Sequence, residues 1–305
     1  MVSRRDHELW NVVLNERNAY RRQLIDQVVA TALPETQDPE DVSITVKAFM
    51  AADLPHELIQ LLEKLVLEGS SFNENRNLQN LLILTAIKAD KTRVMDYIKR
   101  LDNFDAPDIA NIAIGSELFE EAYTIYTKYD QQSDAITVLL VHIKDLTRAQ
   151  EFADRVDLPD VWSKLGKAQL DESSVNLAIE SYLRAADYSN YGEIILVSSR
   201  NNKFSELVKF LQIARKTVRE ALVDSELLYA YAKTNKLAEL EDFITGPNLA
   251  DISNIGDRCF DEAMYEAARI LFSNVSNWAR LATTLVHLNE YQGAVDCARK
   301  ANATT

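Results

Sequence analysis

Apolar residues along this chain recur at helical spacing, three, four, seven and eight positions apart, in almost every stretch between turn signals. That spacing places them on one face of an α-helix. No segment of the sequence shows sustained alternation of apolar and polar positions, which is the pattern of a half-buried strand. The pattern therefore predicts an all-α protein of about twenty helices, each of roughly 10–14 residues, joined by short links.

Turn and cap residues separate these apolar stretches. Asp38-Pro39 and Asp105-Ala106-Pro107 are typical of a helix N-cap followed by an early-turn proline. Gly246-Pro247 predicts a C-cap and a stop for the helix that ends near Ile244. The helices are thus expected to begin and end at defined residues.

A three-point signature recurs along the chain: an apolar residue, a small or apolar residue three positions later, and an apolar residue four positions beyond that. Its first members fall at positions 119, 146, 175, 204, 237, 265 and 291, so successive copies lie 27, 29, 29, 33, 28 and 26 residues apart. Two upstream copies, beginning at Val94 and Pro55, fit the same frame more loosely. A period near 29 residues predicts stacked helix hairpins.

The signature also predicts how neighbouring hairpins pack. A small middle residue lets the next hairpin approach closely, while its larger neighbours fill the groove. The predicted repeat-packing residues are Phe119, Ala122 and Tyr126; Val175, Ala178 and Tyr182; Tyr265, Ala268 and Phe272; and Tyr291 and Ala294. The expected fold is a right-handed α-solenoid of stacked short antiparallel helix hairpins.

The net charge indicates which partners are disfavoured, and the cysteines indicate the cellular compartment. The 33 basic and 47 acidic residues give a net charge of −14. Such a surface repels phosphate backbones and anionic lipids, so we expect no nucleic-acid partner and no direct membrane insertion. Cys259 and Cys297 form no CxxC pair, and no signal peptide precedes them. A reducing, cytosolic compartment is therefore expected.

The residue types that usually carry chemistry are scattered along the sequence. The four histidines lie on different segments without metal-ligand spacing, and the seven glycines are isolated, so neither a metal site nor a phosphate-binding loop is predicted. His142 and His287 lie in apolar runs and are interpreted as packed side chains. Acidic pairs such as Glu120-Glu121 are typical of a solvated helix face. We expect no enzyme activity and no cofactor.

The three tryptophans each fall near the start of a helical pattern: Trp10, Trp162 and Trp278. Large aromatic side chains contribute much of the buried area of a core, so packing between hairpins is the favoured interpretation. Contact with a helix of a partner protein is the alternative.

Several longer strings resemble the clathrin heavy-chain family. They are residues 54–64, 78–90, 93–110, 256–259 and 275–302. The resemblance runs nearly the whole length of the chain and is loosest between about residues 131 and 200, where it depends on the repeat frame. These strings are not generic solenoid sequence, so the resemblance is specific.

This resemblance implies a structural role. Members of the family form a three-legged unit whose legs, built from repeats of five helix hairpins, pack along one another in the lattice that coats vesicles. The chain is then expected to run from the distal leg through the knee toward the proximal leg, without the β-propeller or the trimerising hub. Its partners would be other heavy-chain legs, with the clathrin light chain reaching at most the C-terminal edge. Its location would be the cytosol and the cytoplasmic face of coated pits and vesicles.

The same resemblance divides the chain into repeats. Residues 1–24 would end a preceding leg repeat, residues 25–170 would form one clathrin heavy-chain repeat, and residues 174–305 would form the next. The abrupt ends predict an excerpt from a longer protein. The alternative function is a peptide-binding helical-repeat adaptor or scaffold, which would need a concave groove lined by a regular polar ladder. No such ladder is evident in the sequence between residues 119 and 291.

Overall fold

The computed structural model describes residues 7–32, 38–68 and 71–303. Within these ranges the chain forms twenty α-helices, two π-helical turns, one 3₁₀ turn and no strand. The predicted all-α architecture of consecutive hairpins is confirmed. The chain divides into two compact units, Met1–Asp145 and Leu146–Thr305.

In the first unit most consecutive helices pack against each other, and some also pack against the next helix but one. Its helices are α1 (His7–Val13), α2 (Arg21–Gln27), α3 (Pro39–Ala51), α4 (Pro55–Val66), α5 (Arg76–Ala89), α6 (Val94–Arg100), α7 (Ala106–Gly115), α8 (Phe119–Lys128) and α9 (Gln132–Thr137). Several are shorter than the predicted 10–14 residues. Part of the reason is that π-helical turns, Val28–Ala32 and Val138–Ile143, continue α2 and α9.

The second unit repeats this arrangement, with additional packing of α12 on α14, α15 on α17 and α16 on α18. Its helices are α10 (Leu146–Val156), α11 (Pro159–Asp171), α12 (Val175–Ala185), α13 (Tyr191–Arg200), α14 (Phe204–Ala214), α15 (Ala221–Lys233), α16 (Leu237–Thr245), α17 (Ile252–Asp261), α18 (Tyr265–Asn274), α19 (Trp278–His287) and α20 (Tyr291–Ala303). Packing between neighbours and next neighbours along the chain is the arrangement of a repeat protein.

The two predicted N-caps have different outcomes. Asp38 accepts a hydrogen bond from the backbone N–H of Glu40, and Pro39 follows as the first residue of α3, as predicted. The Asp105 side chain makes no cap hydrogen bond to α7. It instead pairs with the side chains of Arg76 and Asn80, because these groups of α5 reach the same carboxylate.

Most links between helices share a left-handed backbone conformation at a residue that is not glycine. In the described part of the chain, twelve non-glycine residues, among them Ala263 and Asn289, adopt the left-handed conformation with φ between 48° and 63°. In the common link the residue that follows donates its backbone N–H to the carbonyl five positions back, as Met264 does to Cys259 at 2.8 Å. This bond caps the end of the preceding helix. The left-handed residue then turns the chain into the next helix.

Two of the three tryptophans are core residues. Trp10 is buried, with its ring edge against Phe49 at a centroid distance of 6.1 Å. Trp162 is buried and donates its ring N–H to Asp157 at 2.8 Å. Trp278 is only partly buried, and the Lys300 ammonium lies 4.6 Å from its ring centroid. Aromatic packing inside each unit therefore accounts for Trp10 and Trp162.

Candidate functional site: the packing positions of the hairpin repeat

The three-point signature coincides with one helix of every hairpin from α4 onward. Its first members, beginning with Pro55 and Val94 and ending with Tyr291, are the first residues of the even-numbered helices α4 to α20. The middle member is therefore the fourth residue of each such helix, and the third member is the eighth, except that in the seven-residue α6 it is the C-cap residue Leu101. These three positions lie on one helical face.

The middle and third positions form the inside of the hairpins. Ala122, Ala178 and Ala268 are completely buried, and Ala294 is 6% exposed. The predicted third members Tyr126, Tyr182 and Phe272 are also buried. The first position is more variable, because Val175 is buried, Phe119 and Tyr265 are partly buried, and Tyr291 is 61% exposed.

Two first-position aromatic rings are covered by histidines from the following hairpin. The His142 ring stacks on Phe119 with centroids 5.1 Å apart, and the His287 ring stacks on Tyr265 with centroids 4.5 Å apart. Both histidines thus make packing contacts, although His287 is otherwise exposed. The sequence indicated packed histidines but did not identify the aromatic rings that they contact.

Two third-position aromatic rings pack against glycines that the sequence analysis treated as isolated. A Cβ atom at Gly256 would lie 2.7 Å from Cε1 of Phe272, and one at Gly166 would lie 3.1 Å from Cδ2 of Tyr182. A Cβ at position 256 would clash with the ring, and one at position 166 would force the tyrosine ring to shift by a few tenths of an ångström. In both pairs the glycine precedes the ring by sixteen residues.

The same sixteen-residue spacing separates side chains of other sizes in three further hairpins, α7–α8, α13–α14 and α15–α16. Fully buried Ala110 precedes Tyr126 at this spacing. Where the third member is aliphatic, a large residue takes the earlier position: Ile195 precedes Leu211, and Leu228 precedes Ile244. All four of these aliphatic side chains are buried. In these five hairpins a small residue precedes an aromatic third member, and a large residue precedes an aliphatic one.

Burial also changes the acid–base properties of two groups in this core. Burial raises the pKa of Tyr182 to about 12, although a hydrogen bond from Asn190 opposes the shift. Burial likewise raises the pKa of the Cys259 thiol to about 12. A thiol reacts as its thiolate, so this free cysteine is chemically inert at neutral pH.

A polar latch ties the loop before α7 to helix α5. Gln79 accepts a hydrogen bond from the backbone N–H of Asn103 at 2.9 Å, and Asn80 accepts one from Asp105 at 2.8 Å. The Asn103 side chain then donates to the carbonyl of Glu74 at 2.7 Å. These bonds satisfy backbone groups that the loop would otherwise leave unpaired, and they fix its position on α5.

A second polar latch has the same design in the second unit. Asp224 accepts a hydrogen bond from the backbone N–H of Leu249 at 2.8 Å, and Ser225 accepts one from Asp251 at 3.0 Å. Arg215 Nε completes the latch with a 2.9 Å contact to Asp224. Asp224 and Ser225 are the fourth and fifth residues of α15, the positions that Gln79 and Asn80 occupy in α5.

A charged cluster connects α15 with α17. Glu262 accepts a hydrogen bond from the Tyr229 hydroxyl at 2.6 Å and forms an ion pair with Lys233. Arg258 lies 3.4 Å from the centroid of the Tyr229 ring and pairs with Glu226 at 2.7 Å. Partial burial raises the pKa of Glu262, but the bonds from Lys233 and Tyr229 outweigh it and hold the pKa below its usual value.

The first unit contains a related cluster between α4 and α6. Glu63 accepts a hydrogen bond from the Tyr97 hydroxyl at 2.7 Å and pairs with Arg93 at 3.0 Å. Burial and the bond to Glu63 raise the pKa of Tyr97 to about 12. Each cluster therefore joins two consecutive hairpins through one tyrosine and one glutamate.

Within residues 7–32, 38–68 and 71–303, no group of three or more His, Cys, Asp or Glu side chains could hold a metal ion. In the same ranges, no helix combines the length and the apolar character that crossing a membrane requires. The polar side chains that are brought together connect one hairpin to another.

The comparisons with known proteins agree with this description. The family model described as the region in clathrin and VPS matches residues 33–177 and 182–305. The chain is 61% identical over 304 residues to the clathrin heavy chain of Drosophila melanogaster and 62% identical over 304 residues to clathrin heavy chain 2 of Homo sapiens. It is 56% identical over 303 residues to clathrin heavy chain 1 of Arabidopsis thaliana.

These similarities cover 99–100% of this chain but only 18% of each relative's length. The resemblance stated from short strings therefore extends over the whole sequence, including residues 131–200, where it was loosest. Because the family model matches most of its residues, the chain belongs to the clathrin repeat family.

Proposed function

We propose that this chain is a structural leg segment of the clathrin coat, which packs against neighbouring heavy-chain legs in the polyhedral lattice of coated vesicles. The observation that carries the proposal is similarity to clathrin heavy chains along the whole sequence, at 54–62% identity in the first seven relatives compared. The role is mechanical, without an enzymatic step, and it places the segment in the cytosol and on the cytoplasmic face of coated pits.

The helical packing supports a strut. Most helices pack on the next helix of their unit and several on the next but one, so such an array lengthens by adding hairpins. The two polar latches and the Glu63 and Glu262 clusters add directional bonds between hairpins that apolar packing alone would not supply. Hydrogen bonds to partly buried groups constrain geometry because leaving them unmade costs about 1–3 kcal/mol each.

The finer placement is also part of the proposal. We place the segment from the distal leg through the knee toward the proximal leg, with residues 1–24 ending one repeat and residues 25–170 and 174–305 forming the next two. The match of the family model in two ranges, 33–177 and 182–305, supports two repeats. A light chain would touch at most the C-terminal edge, where Tyr291 and Val295 are 61% and 47% exposed.

Assembly is expected to depend on many weak contacts. A coat must form and dissociate, so each leg-to-leg contact is modest and avidity over many legs provides stability. The predicted repeat-packing residues would then act within the leg, holding the hairpins in register. The lattice contacts themselves would come from exposed side chains.

Electron microscopy of assembled coats tests the proposal. A full-length heavy chain that contains this segment would carry a small peptide tag at the exposed link residue Asn202, and a second version would carry it at Asn289. Labelled tags are expected along the edges of the lattice, with a fixed displacement between the two versions. Labels at random positions, or tagged chains that enter coats with this segment outside the lattice edges, would refute the proposal.

A further inference from the structure

An apolar groove lies between α3 and α5 in the first unit. Two adjoining cavities, each of about 300 Å³, form it, and Met50 and Leu81 border both of them. We call this surface the Met50 groove. Met50 is 53% exposed although its side chain is apolar. The groove is thus open to a partner at Met50, where its two cavities meet.

Apolar side chains dominate the lining of both cavities. The first cavity is bordered by Val42, Val46, Phe72 and Leu78, among others, and the second by Leu54, Pro55, Leu58 and Leu84. Pairs of apolar cavities between two helices suit a segment that inserts two apolar anchor side chains, as amphipathic helices do in helix-lined grooves. A central methionine adapts its shape to different anchors because its side chain is unbranched and polarisable.

The charged residues that border the groove are mostly basic. Lys47 borders the first cavity and Lys88 the second, and both are exposed. Within residues 38–68 and 71–303 neither ammonium group makes a hydrogen bond or an ion pair, whereas other cations of this unit, such as Arg22, Lys64 and Arg93, pair with carboxylates. Asp53 is the one carboxylate among the lining residues.

We propose that the Met50 groove docks an acidic peptide segment of another protein. The segment places one apolar side chain in each cavity and sets carboxylates against Lys47 and Lys88. This inference goes beyond the strut role, because it gives the leg a binding surface for a partner outside the lattice of heavy chains.

Charge favours this occupant over a second copy of the chain. A second copy carries a net charge of −14, and bringing two such surfaces together over a large area incurs repulsion. A short acidic segment brings its negative charge only to the two unpaired lysines. The rim ion pairs then supply selectivity and orientation more than affinity, which comes from the buried apolar anchors.

The test begins with selection of a displayed library of random dodecapeptides on the complete 305-residue chain, with depletion on the Met50→Glu variant. Met50 is exposed, so this variant should keep the wild-type helical circular dichroism and melting temperature. Selected peptides are expected to be acidic and to share two apolar residues at helical spacing. Selection of neutral or basic peptides, or of none that distinguish the two proteins, overturns the proposal.

Binding of one selected peptide is then measured by fluorescence anisotropy. The Lys47→Glu/Lys88→Glu variant is expected to weaken binding by about tenfold or more, and added salt should weaken it as well. Lys99→Glu, a charge reversal at an exposed lysine of α6, is the matched control and should change binding less than about twofold. Equal effects of the two charge reversals would contradict the proposal. Dimerisation that Met50→Glu abolishes would assign the groove to a second copy instead.

Discussion

The hairpins α15–α16 and α17–α18 fill the same inner position with opposite choices of side chain. In α17–α18 a glycine, Gly256, lies against the ring of Phe272, while in α15–α16 the equivalent residues are Leu228 and Ile244. All three apolar side chains are buried. The comparison shows that one inner position can be filled in two ways, by a single ring packed on a glycine or by two aliphatic side chains, because close-packed interiors tolerate different combinations of shapes.

The two hairpins should differ in how well they tolerate substitutions at this inner position. The Phe272 ring fits because Gly256 has no Cβ, so a single methyl group at position 256 would already clash with it. The Leu228–Ile244 pair divides its volume between two flexible aliphatic side chains, which can readjust after a small change. The α17–α18 hairpin is therefore expected to be the more sensitive of the two to added volume, and to the loss of its one large side chain.

The largest effect is expected from removing the aromatic side chain. Phe272→Ala should lower the free energy of unfolding by about 3–5 kcal/mol, because it leaves a large cavity opposite a glycine that cannot fill it. Ile244→Ala is the matched change in the neighbouring hairpin and should cost less, about 2–3 kcal/mol. Urea denaturation followed by circular dichroism measures both. A smaller loss for Phe272→Ala than for Ile244→Ala would invert the comparison.

Adding one methyl group opposite the ring should have the next largest effect. Gly256→Ala should lower the free energy of unfolding by about 1–3 kcal/mol, because the new Cβ overpacks against Phe272 and outweighs the better helix propensity of alanine. Gly192→Ala in α13 is the control, since a Cβ there meets nothing within 4 Å. That change should stabilise the protein by up to about 1 kcal/mol. If both glycines respond alike in urea denaturation, close packing at Gly256 is wrong.

The charged cluster that joins these two hairpins should contribute less. Glu262→Gln should destabilise the protein by about 1 kcal/mol at neutral pH, because it removes the partner charge of Lys233 at a half-exposed site. The folded-state pKa of Glu262 lies below the usual 4.5, so its contribution is complete above that pH and is lost as the pH falls through the folded-state value. Unfolding curves should therefore converge for the two proteins in acid. A difference that grows below pH 4.5 would contradict the cluster.

The smallest effect is expected at the link between α17 and α18. Ala263 adopts φ of 60°, where a Cβ is unfavourable, so Ala263→Gly should stabilise the protein by about 0.5–1 kcal/mol. Ala268→Gly, in the interior of α18, is the control and should destabilise it by about 1 kcal/mol or more. Thermal denaturation of both variants measures the pair. Destabilisation by Ala263→Gly would show that the link does not carry this backbone strain.

Much of this architecture was predictable from the sequence, because helix periodicity and cap residues are local signals. The three-point signature located the first residue of every even-numbered helix from α4 onward, including the loosely fitting copies at Pro55 and Val94. Spacing sufficed because each hairpin places the same three positions on its inner face. The exposure of Tyr291 was not predicted, since a signature gives the helical face and not what covers it.

The partners of those positions were not predictable in the same way. Gly166 and Gly256 looked isolated, because their significance depends on rings sixteen residues later that only the fold brings near. The polar latches could not be predicted for a similar reason. Gln79 and Asp224 accept hydrogen bonds from backbone N–H groups about 25 residues away, and every residue type except proline has such a group, so the sequence does not mark the partner. Asp105 was correctly predicted to lie where α7 begins, but the prediction that its side chain caps α7 was wrong. Its carboxylate pairs with the side chains of Arg76 and Asn80 instead.

The most direct test of this packing account is a double-mutant cycle between Gly256→Ala and Phe272→Leu, measured as free energies of unfolding in urea. Leucine removes the ring atoms that the new Cβ would meet, so the alanine substitution should cost about 1 kcal/mol less in the Phe272→Leu background than in the wild type. That coupling would show that the hairpins pack through paired volumes at this spacing. Strictly additive effects would contradict the account.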